Sequence, residues 1–142
     1  MPNLDPEAVD AFLAEPRNVI VTAIRGDGRP SMTPNWFLWD GSRFYVSTTK
    51  TRAKFRLFSR DPRVQLAIDD STGFRYVVID GTVAIDDDID AGLPRFRAIR
   101  AKHGRASQTD EDLRAELERD QRVILVITPD KAPADWQGVG LG

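Results

Sequence analysis

The chain contains no cysteine, which excludes disulfides, thiolate metal ligands and cysteine nucleophiles. It has one histidine, His103, so a histidine-rich metal site or a mechanism needing two imidazoles is excluded as well. Positive charge is not in excess: the formal net charge is −2 over 142 residues. A general nucleic-acid binder normally carries a basic surplus, so no nucleic-acid partner is expected. No apolar run approaches the ~20 residues that a membrane-spanning helix needs, so no membrane partner is expected either. The opening residues, MPNLDPEAVDAF, hold no basic stretch followed by an apolar one, and a cytosolic protein is expected. There is no G-x-G-x-x-G fingerprint and no P-loop.

What remains is a balanced composition. Apolar residues make up 41% and charged residues 30%, which suits one globular domain spanning 1–142. Asp5–Glu15 reads as a helix, with Asp5 as N-cap, Pro6 in the first turn, and Val9, Phe12 and Leu13 on one face. Strands are expected over Asn18–Ile24, Ser31–Trp39, Arg43–Thr49, Val64–Asp69, Phe74–Ile85 and Val123–Thr128. The second should be irregular at Pro34, and the fifth broken near Gly81. Asp40-Gly41 marks a hairpin. Short helices are expected over Thr51–Arg60, Asp90–Lys102 and Asp110–Arg119, the last capped by Thr109. Asp86 to Asp88 should be a solvated approach to a helix, and the tail from Pro129 a loop. Short connections favour antiparallel pairing. The expected fold is therefore mainly β: a small barrel of about six antiparallel strands with short helices.

The segment STTKTRAKFRLFSRDPRVQLAID, Ser47 to Asp69, carries the clearest chemistry. Ser47, Thr48 and Thr49 end a strand. A helix start follows, capped by Thr49 or Thr51, with Lys50, Arg52, Lys54 and Arg56 along it. Hydroxyls, free backbone N–H groups and cations together make an anion site. On a helix, Lys50/Lys54 and Arg52/Arg56 are like-charged i,i+4 pairs, each costing a few tenths of a kcal/mol. That conflict points to function. Phe55, Leu57 and Phe58 are expected to face the core. A solvated basic face is the plainer reading of the same residues.

Three aromatic positions and His103 complete the list of candidates. Alternation sends Trp36 and Phe37 to opposite faces, and Trp36 is a candidate wall of a substrate pocket. Trp136, in the tail, should dock on something, either its own barrel or the partner's site, where it would join the substrate pocket. Tyr76 is a further pocket candidate. His103 is expected near a helix end, where a cation would complement the dipole.

STTKTRAKFRLFSRDPRVQLAI resembles the strand–helix–strand signature of the deazaflavin-dependent branch of the pyridoxamine-phosphate-oxidase-like split barrels, in which T-x-K-x-R-x-K precedes D-P-R-V. GDGRPSMTPNWFLWDGSRFYVST resembles its opening strands. Two departures are the Leu57-Phe58 pair, where the family often has Asn-Leu, and the tail ADWQGVGLG. The resemblance implies a split β-barrel homodimer with cofactor sites at the interface, binding coenzyme F420 and a small-molecule substrate. It implies that Arg52 and Lys54 hold the cofactor phosphate, and that Ser47, Thr48 and Thr49 lie beside the ring and ribityl chain. Met32, Thr33, Pro34 and Asn35 would run along the ring, and Lys50 and Arg56 would reach the acidic tail. The implied activity is hydride transfer from reduced F420 to an unsaturated or quinone-like acceptor. The alternatives are an FMN-dependent oxidase and a non-catalytic F420-binding or storage protein.

Overall fold

Residues 3–142 are described by a computed structural model. Helix α1 (Pro6–Ala14) begins as its sequence dictates, with the Asp5 carboxylate accepting from the Glu7 N–H and Val9, Phe12 and Leu13 buried. The chain then forms β1 (Val19–Ile24), β2 (Pro30–Asn35), β3 (Leu38–Trp39) and β4 (Phe44–Thr49). Helix α2 (Ala53–Arg60) leads to β5 (Arg63–Asp69) and β6 (Tyr76–Asp86). Helices α3 (Ile89–Lys102) and α4 (Asp110–Arg119) precede β7 (Arg122–Pro129) and β8 (Gln137–Val139).

All strand pairs are antiparallel, in the order β2-β1-β5-β6-β7-β4-β3, with β8 also on β6. The sheet curls but stays open between β2 and β3, which are consecutive in the chain. This is the mainly β split-barrel architecture. Inward residues such as Val21, Leu66, Ile79, Leu125 and Phe58 of α2 form the main core. A second core lies outside the sheet, where α3 and α4 cover Tyr45 and Ile124.

The strand count differs from the expected six. The second expected strand divides at Trp36-Phe37, where Phe37 is buried and Trp36 turns outward. The tail supplies β8, although its glycines suggested a loop. Gly138 lies so close to the Tyr76 carbonyl oxygen that a Cβ there would stand 2.6 Å away, so glycine is what permits this pairing. The expected break at Gly81 is also absent. β6 runs through it, pairing with Val64 on one side and Pro129 on the other.

Helix α2 starts two residues later than expected. Lys50 N–H is bonded to the Gln121 carbonyl and Arg52 N–H to the Thr49 carbonyl, so Lys50–Arg52 form a turn. Arg52 occupies the N-cap and makes no side-chain cap bond. The Thr49 and Thr51 hydroxyls bond each other at 2.8 Å instead of capping the helix. The two like-charged i,i+4 stripes therefore do not form. Leu57 and Phe58 pack on the core as expected, whereas Phe55 is half-buried and stays outside it.

Candidate functional site

A cavity of about 310 Å³ opens where β2, β4, α2, α3 and β7 converge. The end of β2 brings Pro34 and Asn35 to it, followed by Trp36; β4 brings Ser47 and Thr48; the start of α2 brings Arg52 and Lys54. These are seven of the residues singled out in the sequence. Thr33 stands directly behind them. Its hydroxyl accepts from Lys54 Nζ at 2.9 Å and from Asn35 Nδ2 at 3.2 Å.

Lys54 is not on a solvated face. It is 5% exposed and bonded to a neutral hydroxyl. Burial pushes its ammonium below the usual lysine pKa, and the neighbouring Arg52 charge adds to that. A buried cation without a carboxylate is costly by itself, and an anionic ligand offsets that cost.

The remaining sequence candidates lie elsewhere. Met32 shares the outer face of β2 with Pro34 but does not line the cavity, and it is 62% exposed. Thr49 is buried beside Thr51. Lys50 is exposed, with its Nζ 3.9 Å from Asp87, and Arg56 is exposed on α2. Tyr76 and Trp136 line a separate cavity of about 780 Å³ with Asp80 and Asp130. Trp136 is largely buried against Phe44 and Trp39, and its Nε1 donates to the Lys131 carbonyl at 2.8 Å.

Sequence reasoning missed the far wall. Phe96, Ile99 and Arg100 of α3, Arg105 after it, and Arg122 of β7 all face the same cavity. None lies in a local motif. Arg122 arrives through the β4–β7 register, which sets it opposite Thr49. The cavity thus has five cationic side chains and no carboxylate in its lining, with Trp36, Phe96 and Ile99 as apolar walls. That combination suits a planar ring carrying an anionic arm.

His103 holds Trp36 in place. The two rings stack at 4.9 Å and 5°. His103 Nε2 accepts from the Phe37 N–H at 3.4 Å, and burial lowers its pKa, with the adjacent Lys102 ammonium adding to the effect. The imidazole therefore acts as a neutral acceptor rather than a cation on the helix dipole. Lys102 donates to the Leu13 and Phe37 carbonyls at 2.7 and 3.1 Å, so both backbone polar groups of Phe37 are held by the end of α3.

Several solved structures share this fold. An F420 reductase is 24% identical with a TM-score of 0.71, the match covering 86% of this chain and 93% of the other. A conserved hypothetical protein from Mycobacterium tuberculosis is 19% identical with a TM-score of 0.79, covering 92% and 83%. The heme storage protein HutZ from Vibrio cholerae is 16% identical with a TM-score of 0.73, covering 99% and 97%. At these identities the likeness is one of fold, and this fold holds flavin-type cofactors. Among the described residues no helix is long and apolar enough to cross a membrane. The family profile described as pyridoxamine 5'-phosphate oxidase matches residues 5–134, and the chain belongs to that family.

Proposed function

We propose that the protein is a cytosolic F420H2-dependent reductase acting on an unsaturated or quinone-like organic acceptor. The observation that carries this reading is the cavity with five cations and no carboxylate, one of the cations being the buried Lys54. A cofactor with a single phosphate needs fewer positive groups than one that also bears an acidic tail. The F420 reductase among the proteins of similar fold supports the same choice.

The residues present fit such a group. Arg52, Lys54 and the uncapped N–H groups of α2 would hold its phosphate. Ser47 and Thr48 offer hydroxyls to its polar chain. Asn35 spends Nδ2 on the Thr33 carbonyl and hydroxyl, leaving its amide oxygen to accept from a ring N–H. Trp36, Phe96 and Ile99 would exclude water from the reacting face. Reduced F420, when bound, supplies the hydride; the protein supplies position and electrostatics.

The homodimer belongs to this reading. Pro34, Ile20, Ala67 and Val78 are successive cross-strand partners on the outer face of the sheet. That row runs from the cavity edge across four strands, with exposed Met32 beside it. A second copy packed there would close the cavity.

The alternative is FMN in the same cavity, supported by the family's oxidase description. The test of turnover is an acceptor panel with reduced F420. Acceptor-dependent oxidation of F420H2 by the purified protein supports a reductase. Tight F420 binding with no oxidation by any acceptor identifies a carrier, and a yellow protein with a flavin spectrum identifies an FMN enzyme.

A further inference from the structure

We propose that Arg122, with Arg105 on the same cavity lining, forms a second anion subsite in the cavity, taking a carboxylate or phosphate group distinct from the one held by Arg52 and Lys54. The inference rests on the reading above for the first anion and adds a second.

Arg122 opens β7, opposite Thr49 on β4. Its guanidinium reaches along β4 to the Ser47 hydroxyl, with a long bond of 3.4 Å. Its Nε is buried and meets no acceptor among the described residues. The nearby carboxylates are already engaged. Asp120 is bound by Arg119 at 3.0 Å, and Glu116 by Arg100 at 2.9 Å with Gln108 at 3.1 Å. No ion pair among the described residues includes Arg122, Arg105, Arg52 or Lys54.

Arg17 shows what a structurally satisfied arginine looks like in this fold. Its Nε is equally buried and unbonded, but its other nitrogens reach the Glu15 carboxylate and the Asp69 carbonyl, and it lies over the Phe12 ring. Arg122 has only the long bond to the Ser47 hydroxyl and the more distant fields of Asp120 and Glu116, which offset part of the cost. Burial opposes its charge, and the positive Arg100 opposes it further. An arginine with no carboxylate partner, beside a hydroxyl and on a cavity lining free of carboxylates, suits the oxygens of a carboxylate or phosphate. Arg105 lines the same wall. The group can come from the cofactor's glutamate tail or from a carboxylate on the acceptor.

The test is a titration of the 15N-labelled full chain with inorganic phosphate at constant ionic strength, following arginine Nε–Hε signals. The expected result is that the Arg122 signal moves, and still moves in Arg52→Gln. The proposal is overturned if the Arg122 signal stays fixed while that of Arg52 saturates, or if Arg52→Gln abolishes its response, which would mean one shared site. This readout holds whether the cofactor proves to be F420 or FMN. The source is then read from Arg122→Gln, with Arg122→Lys as the folded, charge-retaining control. A rise of about tenfold in Kd for tail-bearing F420, absent for the tail-less form, assigns the tail. A rise of about tenfold in KM for a carboxylate-bearing acceptor, absent for its methyl ester, assigns the acceptor. If neither changes, the subsite has no ligand and the proposal fails.

Discussion

Lys54 Nζ donates a 2.9 Å hydrogen bond to Thr33 Oγ1, tying the first turn of α2 to β2 across the floor of the cavity. The same hydroxyl accepts from Asn35, so one small side chain orients two pocket residues. Removing it should disturb binding without emptying the core. Thr33→Val keeps the shape and deletes the acceptor. It should weaken cofactor binding about three- to tenfold and lower stability by about 1–2 kcal/mol, because a buried ammonium loses its partner. Thr33→Ser should restore both. Isothermal titration and chemical denaturation measure the two effects.

His103 is the chain's only histidine, so proton NMR follows its imidazole without overlap. Its midpoint should fall below 6.5, because burial disfavours the imidazolium. Between 6.5 and the lower folded value, the unfolded chain binds more protons. Stability should therefore drop as pH falls through that window and level off below it. In His103→Gln that acid-side loss should disappear from thermal unfolding curves. The Trp36 environment should change over the same pH range, since the two rings stack.

Much of this site is legible in the sequence, and the reason is local. Ser47 through Lys54 bring hydroxyls and cations to one strand–helix junction within eight residues, and the caps Asp5 and Thr109 act on helix N–H groups two and three residues away. Long-range placement was not readable. Lys54 is buried because Thr33, 21 residues earlier, lies beneath it, which helical counting cannot reveal. Arg122 and Arg100 enter only through sheet register and the packing of α3. The β8 strand was hidden because glycine signals a loop in sequence, whereas Gly138 is there to let two backbones approach.

Trp136 packs on Phe44 and Trp39 within the core and lines a cavity other than the one holding Arg52. Trp136→Ala should cost about 3–5 kcal/mol of stability. Trp136→Phe should cost less and leave cofactor affinity within twofold of wild type. A large loss of affinity in a well-folded Trp136→Phe protein would instead place this ring at the substrate.

The apolar row on the outer sheet face should be an interface between two copies. Sedimentation should give a dimer for the wild type and a folded monomer for Ala67→Lys/Val78→Lys, since unpaired charges in an apolar interface are strongly disfavoured. Cofactor affinity should fall together with dimerisation. A wild-type monomer that binds cofactor fully would remove the partner from the site.

The most direct test is a titration of the wild type and of Arg52→Ala/Lys54→Ala with F420 and with FMN. Losing two charge-assisted contacts should weaken F420 binding by roughly a hundredfold. Wild type should prefer F420 over FMN, and the double variant should lose most of its F420 affinity while remaining folded. Equal affinity for the two cofactors, or unchanged F420 binding in the double variant, would contradict the assignment of this cavity to F420.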